Sequence, residues 1–373
     1  MPEPQVYLDH HATTPCDPRV VERMLPYFTE IFGNPASLMH EHGRRASRAL
    51  EEARIVVARF FGVVPPEIYF TAGATEANNI ALNLVKPGQH VIATAVEHKS
   101  VLVPAARHDD VTILAPNSEG FIDPEKVRAA IRPNTRLVSV EAANGEIGTI
   151  QNIAAIGALC RERNVLFHTD ATQAAGKIPL DLSNVDLASF SAHKVYGPKG
   201  IGALLMRRGI KAEPVVVGGG QEKNVRSGTV NVAGAVGFAA ALEIAAAEMA
   251  GEGERLAAMR DELRERLLEA IPGVSVNGAR TLRLPGNLNV SFERIEADSL
   301  ILAMRRFALS SGSACSSGER GPSPVLSAIG VPENLAMGSI RIGLGRSNTS
   351  EQMVTLVDDL RRAVAKLREI SAA

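Results

Sequence analysis

Three short runs carry residue types that can do chemistry together. Lys194 stands in SFSAHKVYGPKG (189–200), after an apolar run and before a Gly197-Pro198 turn. A lysine where a strand ends points into the crevice in which α/β proteins bind ligands. Upstream, HTDATQ (168–173) puts Asp170 at the end of another apolar run. A carboxylate there needs a cation or several hydrogen bonds. Farther upstream, TAGATEANN (71–79) is a turn of small residues opening a helix. Its free N–H groups and dipole suit a phosphate. The run lacks Gly-Lys-Ser/Thr and is not GxGxxG, which counts against an NTPase and against a Rossmann dinucleotide site. A lysine, an acid and a phosphate-binding helix start fit pyridoxal phosphate. The lysine forms a Schiff base, the acid keeps the pyridine nitrogen protonated, and the helix start takes the phosphate.

A fourth run, SSGSACSSGERG (310–321), places Cys315 among Ser and Gly, although free cysteine is usually buried. The chain has three cysteines, all far apart and with no CxxC pair. That argues against a disulfide framework or a structural zinc site and for a reducing compartment. Cys160, on the apolar spacing of IAAIGALCRER, reads as core, and Cys16 in TTPCDP reads as a packing residue.

These residues need a frame. Short β-rich runs (67–71, 90–98, 111–116, 136–144, 165–171, 187–193) alternate with helical patterns such as 124–131 and 152–163. Several of the runs are apolar at consecutive positions, as strands covered on both faces are. This predicts an α/β domain with a mainly parallel sheet, and GIGALLMRR (200–208) adds one more strand. After an Ala-rich helix (232–251) the texture changes to a charged amphipathic helix (251–271), two strand runs, the Cys315 loop, SIRIGLG and a last helix. The expected organisation is a large domain over 15–250 and a smaller α+β domain made of 1–14 with 251–373.

With 373 residues, 45% hydrophobic, 22% charged and a net charge of −1, the composition is globular. No global field favours nucleic acid or an anionic membrane. The first residues, MPEPQVYLDHH, lack the basic and apolar regions of a signal peptide, so a cytoplasmic location is expected. Glu243 and Glu248 interrupt the most membrane-like run, which reads as a buried helix. HEH (40–42) sits on a predicted helix, where i,i+2 spacing sends the rings to different sides, so no metal is expected there.

The motifs YLDHHATTP, FGNPAS (32–37), FTAGATEANNIAL (70–82), VEHKSV (96–101), HTDATQAAGKIPLDLS (168–183), SAHKVYGPKGIGAL (191–204), GGGQEKNVRSGT (218–229), SSGSACSSG (310–318) and SIRIGLGR (339–346) occur in order. Together they resemble the NifS/IscS-type cysteine desulfurases, from about residue 6 to the last helix. The resemblance implies fold type I of the pyridoxal-phosphate enzymes. It makes Lys194 the cofactor lysine, Asp170 the partner of the pyridine nitrogen, and Gln173 a donor to the phenolic oxygen. His98 would stack on the ring and move protons; a structural histidine is the alternative. Ala74, Thr75, Ser191 and His193 would hold the phosphate, with Thr229 reaching it from the neighbouring subunit of a homodimer with shared active sites. Asn34, Arg341 and Asn144 would contact the substrate.

Cys315 would be the nucleophile that takes sulfur from L-cysteine, leaving alanine. The persulfide would pass to an acceptor protein, an iron–sulfur scaffold or a tRNA-thiolation enzyme. Cys315 could also ligate a transferred cluster, and no resident metal is implied. A selenocysteine lyase or related C–S lyase is the alternative. The chain departs from the family at Gly145, where asparagine is usual, at His10 and His11, and in the charged GERG after Cys315, and a further C-terminal docking tail is not expected.

Overall fold

The computed structural model describes residues 5–311 and 321–372, so Cys315 lies outside the described residues. In chain order the strands are β1 (Val6–Tyr7), β2 (Ile68–Thr71), β3 (His90–Thr94), β4 (Val111–Leu114), β5 (Thr135–Ser139), β6 (Leu166–Asp170), β7 (Leu187–Ser191), β8 (Gly202–Met206), β9 (Val274–Asn277), β10 (Asn287–Phe292), β11 (Phe307–Ala308) and β12 (Ser339–Gly343). Seven of them form one sheet in the order β2-β8-β7-β6-β5-β3-β4. The pairs from β7 through β4 are parallel. β8 runs antiparallel to both β2 and β7. The added strand at 202–206 is therefore what makes the sheet mixed. β3, β7 and β8 are buried at every position, which is why they read as unbroken apolar runs.

Connecting helices cover the sheet. Asp123 caps the helix Pro124–Ala130 by accepting from the Glu125 N–H, and Asn152 caps Ile153–Glu162 by accepting from the Ala155 N–H. A second, three-stranded sheet of order β12-β10-β9 is antiparallel. The N-terminal segment joins this part of the molecule: β1 pairs with β11, Asp9 bridges Gly343, and Leu8 lies in the same core as Phe292 and Ile342.

The two helices expected at 232–251 and 251–271 are one, Val232–Ala270. It runs without a break through Gly251 and Gly253. Its first half packs in the core of the large sheet through Ala235–Leu242 and Ala245, and its second half in the other core through Leu256, Leu263 and Leu267. The apolar window of this helix is long enough to cross a membrane, but 61% of it is buried inside the protein. His40 also departs from expectation. It precedes the helix Glu41–Phe60 and caps it, its Nδ1 accepting from the Gly43 N–H at 3.1 Å.

Candidate active site

Most of the candidate residues sit where strands of the large sheet end. Asp170 is the last residue of β6 and is 7% exposed. Its Oδ2 accepts from Asn78 Nδ2 at 2.8 Å and its Oδ1 from the Thr172 N–H at 3.0 Å. Asn78 belongs to the helix Ala74–Leu82, the one the small-residue turn opens. That helix starts on Gly73, whose φ of 155° is open to glycine, and it has no side-chain cap. A Cβ on Gly202 would come within 2.7 Å of the Gly73 Cα, so glycine at both positions lets the turn lie against β8. The first N–H groups of the helix are thus left for an anion. Ser191, at the end of β7, brings its Oγ to 3.5 Å from a Cβ built on Gly73.

Lys194 ends a short 3₁₀ turn, Ala192–Lys194, directly after β7. Its Nζ donates to the carbonyls of His11 (2.7 Å) and Ala12 (2.6 Å). His193 Nδ1 lies 3.0 Å from the Thr13 hydroxyl.

His98 caps the helix Lys99–Ala105. Its Nδ1 lies 3.1 Å from the Ser100 N–H, which can only donate. Nδ1 therefore carries the lone pair, and in the neutral ring the proton sits on Nε2. The Ser100 hydroxyl also meets Nδ1, at 2.7 Å, and accepts from Asn78 Nδ2 at 2.8 Å. Asn78 and Ser100 thus tie His98 to Asp170. The sequence quotes both residues inside its motifs, but only the fold places Asn78 between the histidine and the acid.

Arg341, on β12, is 7% exposed. Its guanidinium donates to Asp9 Oδ1 at 2.7 Å and to the Gly145 carbonyl at 3.2 Å, and its backbone N–H donates to the Ser310 carbonyl at 2.6 Å. Arg341 therefore sits beside the residue that enters the Cys315 segment. Its buried Nε has no described partner. Asn144 is fully committed to its own turn: Nδ2 donates to the Val96 carbonyl and Glu141, and Oδ1 accepts from the Glu146 and Ile147 N–H groups. Those four bonds use its amide, so the expected substrate contact has no free valence in this geometry. Asn34 and Thr229 are exposed. Asn34 Oδ1 accepts from the Ala36 N–H, and no described hydrogen bond joins either residue to Lys194 or Asp170.

The chain matches the family model for class-V aminotransferases over residues 6–356. It belongs to that family. It is similar to a protein named cysteine desulfurase IscS from Anaeromyxobacter dehalogenans, 48% identical over 379 residues, covering 98% of this chain and 94% of the relative. A solved structure described as a NifS-like protein superposes with a TM-score of 0.90 at 36% identity, covering 97% of this chain and all of that one. Another, described as SspA in complex with cysteine, gives a TM-score of 0.80 at 35% identity over 91% and 98% of the two chains.

Burial acts strongly on this family member's titratable groups. Glu97 and Glu141 follow the ends of β3 and β5, and both are buried. Burial and the nearby Asp170 raise Glu141 to about 8, and burial, then Glu141 and Asp170, raise Glu97 well above the carboxylate range. A cavity of about 30 Å³ beside Lys194 is lined by His10, His11, Lys177, Tyr196 and Glu252 among others. Burial, with Lys194 and Arg341 near, pulls Lys177 down to about 7. Burial and Lys177 bring His10 to about 4. Of the two described cysteines, Cys160 is fully buried and its thiol is pushed up to about 12, and burial and Asp17 raise Cys16. Neither is a ready thiolate.

Proposed function

We propose that this protein is a pyridoxal-phosphate-dependent cysteine desulfurase that moves sulfur from L-cysteine to Cys315 and onward to an acceptor protein. The observation that carries the reading is the placement, at the ends of the neighbouring strands β7 and β6, of Lys194 and Asp170, beside an uncapped helix start. The cofactor of the family fits this arrangement. Its phosphate would take the N–H groups at Ala74 and Thr75 with Ser191 and His193, its ring nitrogen would face Asp170, and Thr229 of a second copy would complete the phosphate site. When bound, the cofactor withdraws electrons from the substrate's α-carbon.

The chain's own residues do the rest. Lys194 holds and moves a proton at the substrate α-carbon. His98, proton on Nε2, would stack on the ring of the cofactor and would exchange a proton with the substrate thiol. Arg341, with Asn34, takes the substrate carboxylate, for which a guanidinium fork is suited. The Cys315 thiolate attacks the substrate sulfur. An S–S bond forms, the C–S bond breaks, the proton of the substrate thiol ends on the β-carbon, and alanine leaves with Cys315 as a persulfide. Atoms and electrons balance without an external oxidant. Two lobes, 15–250 and 1–14 with 251–373, would frame the site. Binding of a second copy and delivery to a scaffold or a tRNA-thiolation enzyme belong to the same proposal.

Incubation with ³⁵S-cysteine followed by mass spectrometry of the tryptic peptides tests it. The label is expected on the Cys315 peptide with one alanine per sulfur. Label on Cys16 or Cys160 would overturn the role of Cys315, and cysteine turnover unimpaired in Cys315→Ala would favour a C–S lyase that uses no protein thiol.

A further inference from the structure

Gln173 sits one turn of chain beyond Asp170, and its amide is held from three sides. Its Nε2 donates to the His11 carbonyl at 2.9 Å. Its Oε1 receives Lys177 Nζ at 2.9 Å and lies 3.1 Å from His11 Nδ1. A backbone carbonyl can only accept, so the end of the amide that meets the His11 carbonyl is the nitrogen. The orientation is thus fixed by chemistry rather than by the shape of the group. It then fixes the histidine. An oxygen faces Nδ1, so the His11 proton is on Nδ1 and the lone pair on Nε2. Burial, with Lys177 and Arg341 close, holds His11 well below its ordinary value, so the ring is neutral.

The nitrogen end of the amide needs room. A Cβ on Gly145 would lie 2.6 Å from Gln173 Nε2 and 3.0 Å from its Cγ. The backbone of Gly145 is not in the left-handed region, so its lack of a side chain serves this close approach.

We propose that His11 and Lys177 are positioning residues that lock the Gln173 amide with its N–H end toward the active site, in the space Gly145 leaves open. The inference rests on the cofactor reading above for what the N–H group meets, an oxygen of the bound cofactor, but not for the lock itself. The charged and titratable groups facing Lys177 are Lys194, His193, Arg341, Glu252, His10 and His11. They come from the turn after β7, from β12, from the long helix and from the N-terminal segment.

The test has two arms on the full-length chain. With histidine-selective ¹⁵N labelling and the cofactor removed, His11, assigned by its loss in His11→Leu, is expected in the Nδ1–H tautomer. Finding the Nε2–H tautomer overturns the lock. With pyridoxal phosphate bound, the pH midpoint of the cofactor absorbance band is read in Gln173→Ala, His11→Leu, Lys177→Met and Lys177→Arg. Loss of an oriented N–H donor leaves the cofactor oxygen more basic, so the first three variants are expected to raise the midpoint and Lys177→Arg to restore it. His11→Leu removes a neutral ring, so its shift is not a charge effect. In a Gln173→Ala background neither His11→Leu nor Lys177→Met should add a shift. A full shift in that background overturns the proposal. A chain that shows the Nδ1–H tautomer but never binds the cofactor would defeat the functional reading and leave the lock standing.

Discussion

The two flanks of the Lys194–Asp170 site are lined by opposite charges, and burial treats them alike. On one flank three carboxylates follow one another across the adjacent strands β3, β5 and β6: Glu97, Glu141 and Asp170. On the other lie Lys177, Lys194, His10 and His11. Taking a group out of water disfavours its charged form, so the acids Glu97 and Glu141 are raised and the bases Lys177, His10 and His11 are lowered. Asp170 differs from Glu97 in its donors. Each oxygen of Asp170 accepts a hydrogen bond, whereas Glu97 Oε2 has no described partner.

Removing the central members breaks the comparison outright. Lys194→Ala should abolish cofactor colour and lower turnover by at least about 10²–10⁴-fold, the usual contribution of a positioned acid–base group. Absorbance and alanine release measure both. A colourless variant that still releases alanine would refute the role. Asp170→Ala should cost activity on a comparable scale. It should also leave the Asn78 N–H without an acceptor, for roughly 1–3 kcal/mol of stability. Urea unfolding with unchanged slope reads that number.

The flanks then predict opposite pH slopes. Glu141 is an acid raised to about 8 in the fold, against an ordinary value of about 4.3 in the unfolded chain. Between those limits the folded protein holds a proton that the unfolded chain has released, so stability falls as pH rises through the window. Glu141→Gln keeps an acceptor for Asn144 and removes that slope, with a gain on the order of a few kcal/mol at pH 8 and little at pH 4. Lys177 is a base lowered to about 7, against about 10.4 unfolded. Here the unfolded chain holds the extra proton, so its contribution rises with pH from about 7 to 10. Lys177→Met should therefore gain most below pH 7. Urea midpoints across pH 4–10 check both signs.

Much of this site was legible because its residues sit where local patterns change. Lys194 and Asp170 stand at the ends of apolar runs, and the runs are apolar because β6 and β7 are buried inside a parallel array. The small residues before Ala74 announce a helix start that carries no side-chain cap. Other features have no local signature. Nothing in KIPLDL shows that Lys177 turns back to Gln173, four residues earlier, beside a carbonyl from position 11. The row Glu97–Glu141–Asp170 exists only once strand order is known. The continuity of Val232–Ala270 was missed because its composition changes midway, from alanine packing on one core to charged residues flanking another. Asn144 looked available because its motif does not reveal that its turn uses the whole amide.

The smallest effect sharpens the basic flank most. Gly145→Ala places a methyl group 2.6 Å from Gln173 Nε2, closer than a real Cβ comes to any atom. The amide must yield, and such crowding costs about 1–3 kcal/mol. The backbone there is compatible with alanine, so the unfolded chain loses entropy and returns about 0.4–1 kcal/mol. Net stability should fall by no more than about 2.6 kcal/mol. Because the displaced group is the N–H end of a locked amide, cofactor affinity should weaken more than that stability change suggests. Equilibrium dialysis against pyridoxal phosphate beside urea unfolding compares the two. Equal affinity in Gly145→Ala and the parent chain would mean that the amide has another way to meet the cofactor.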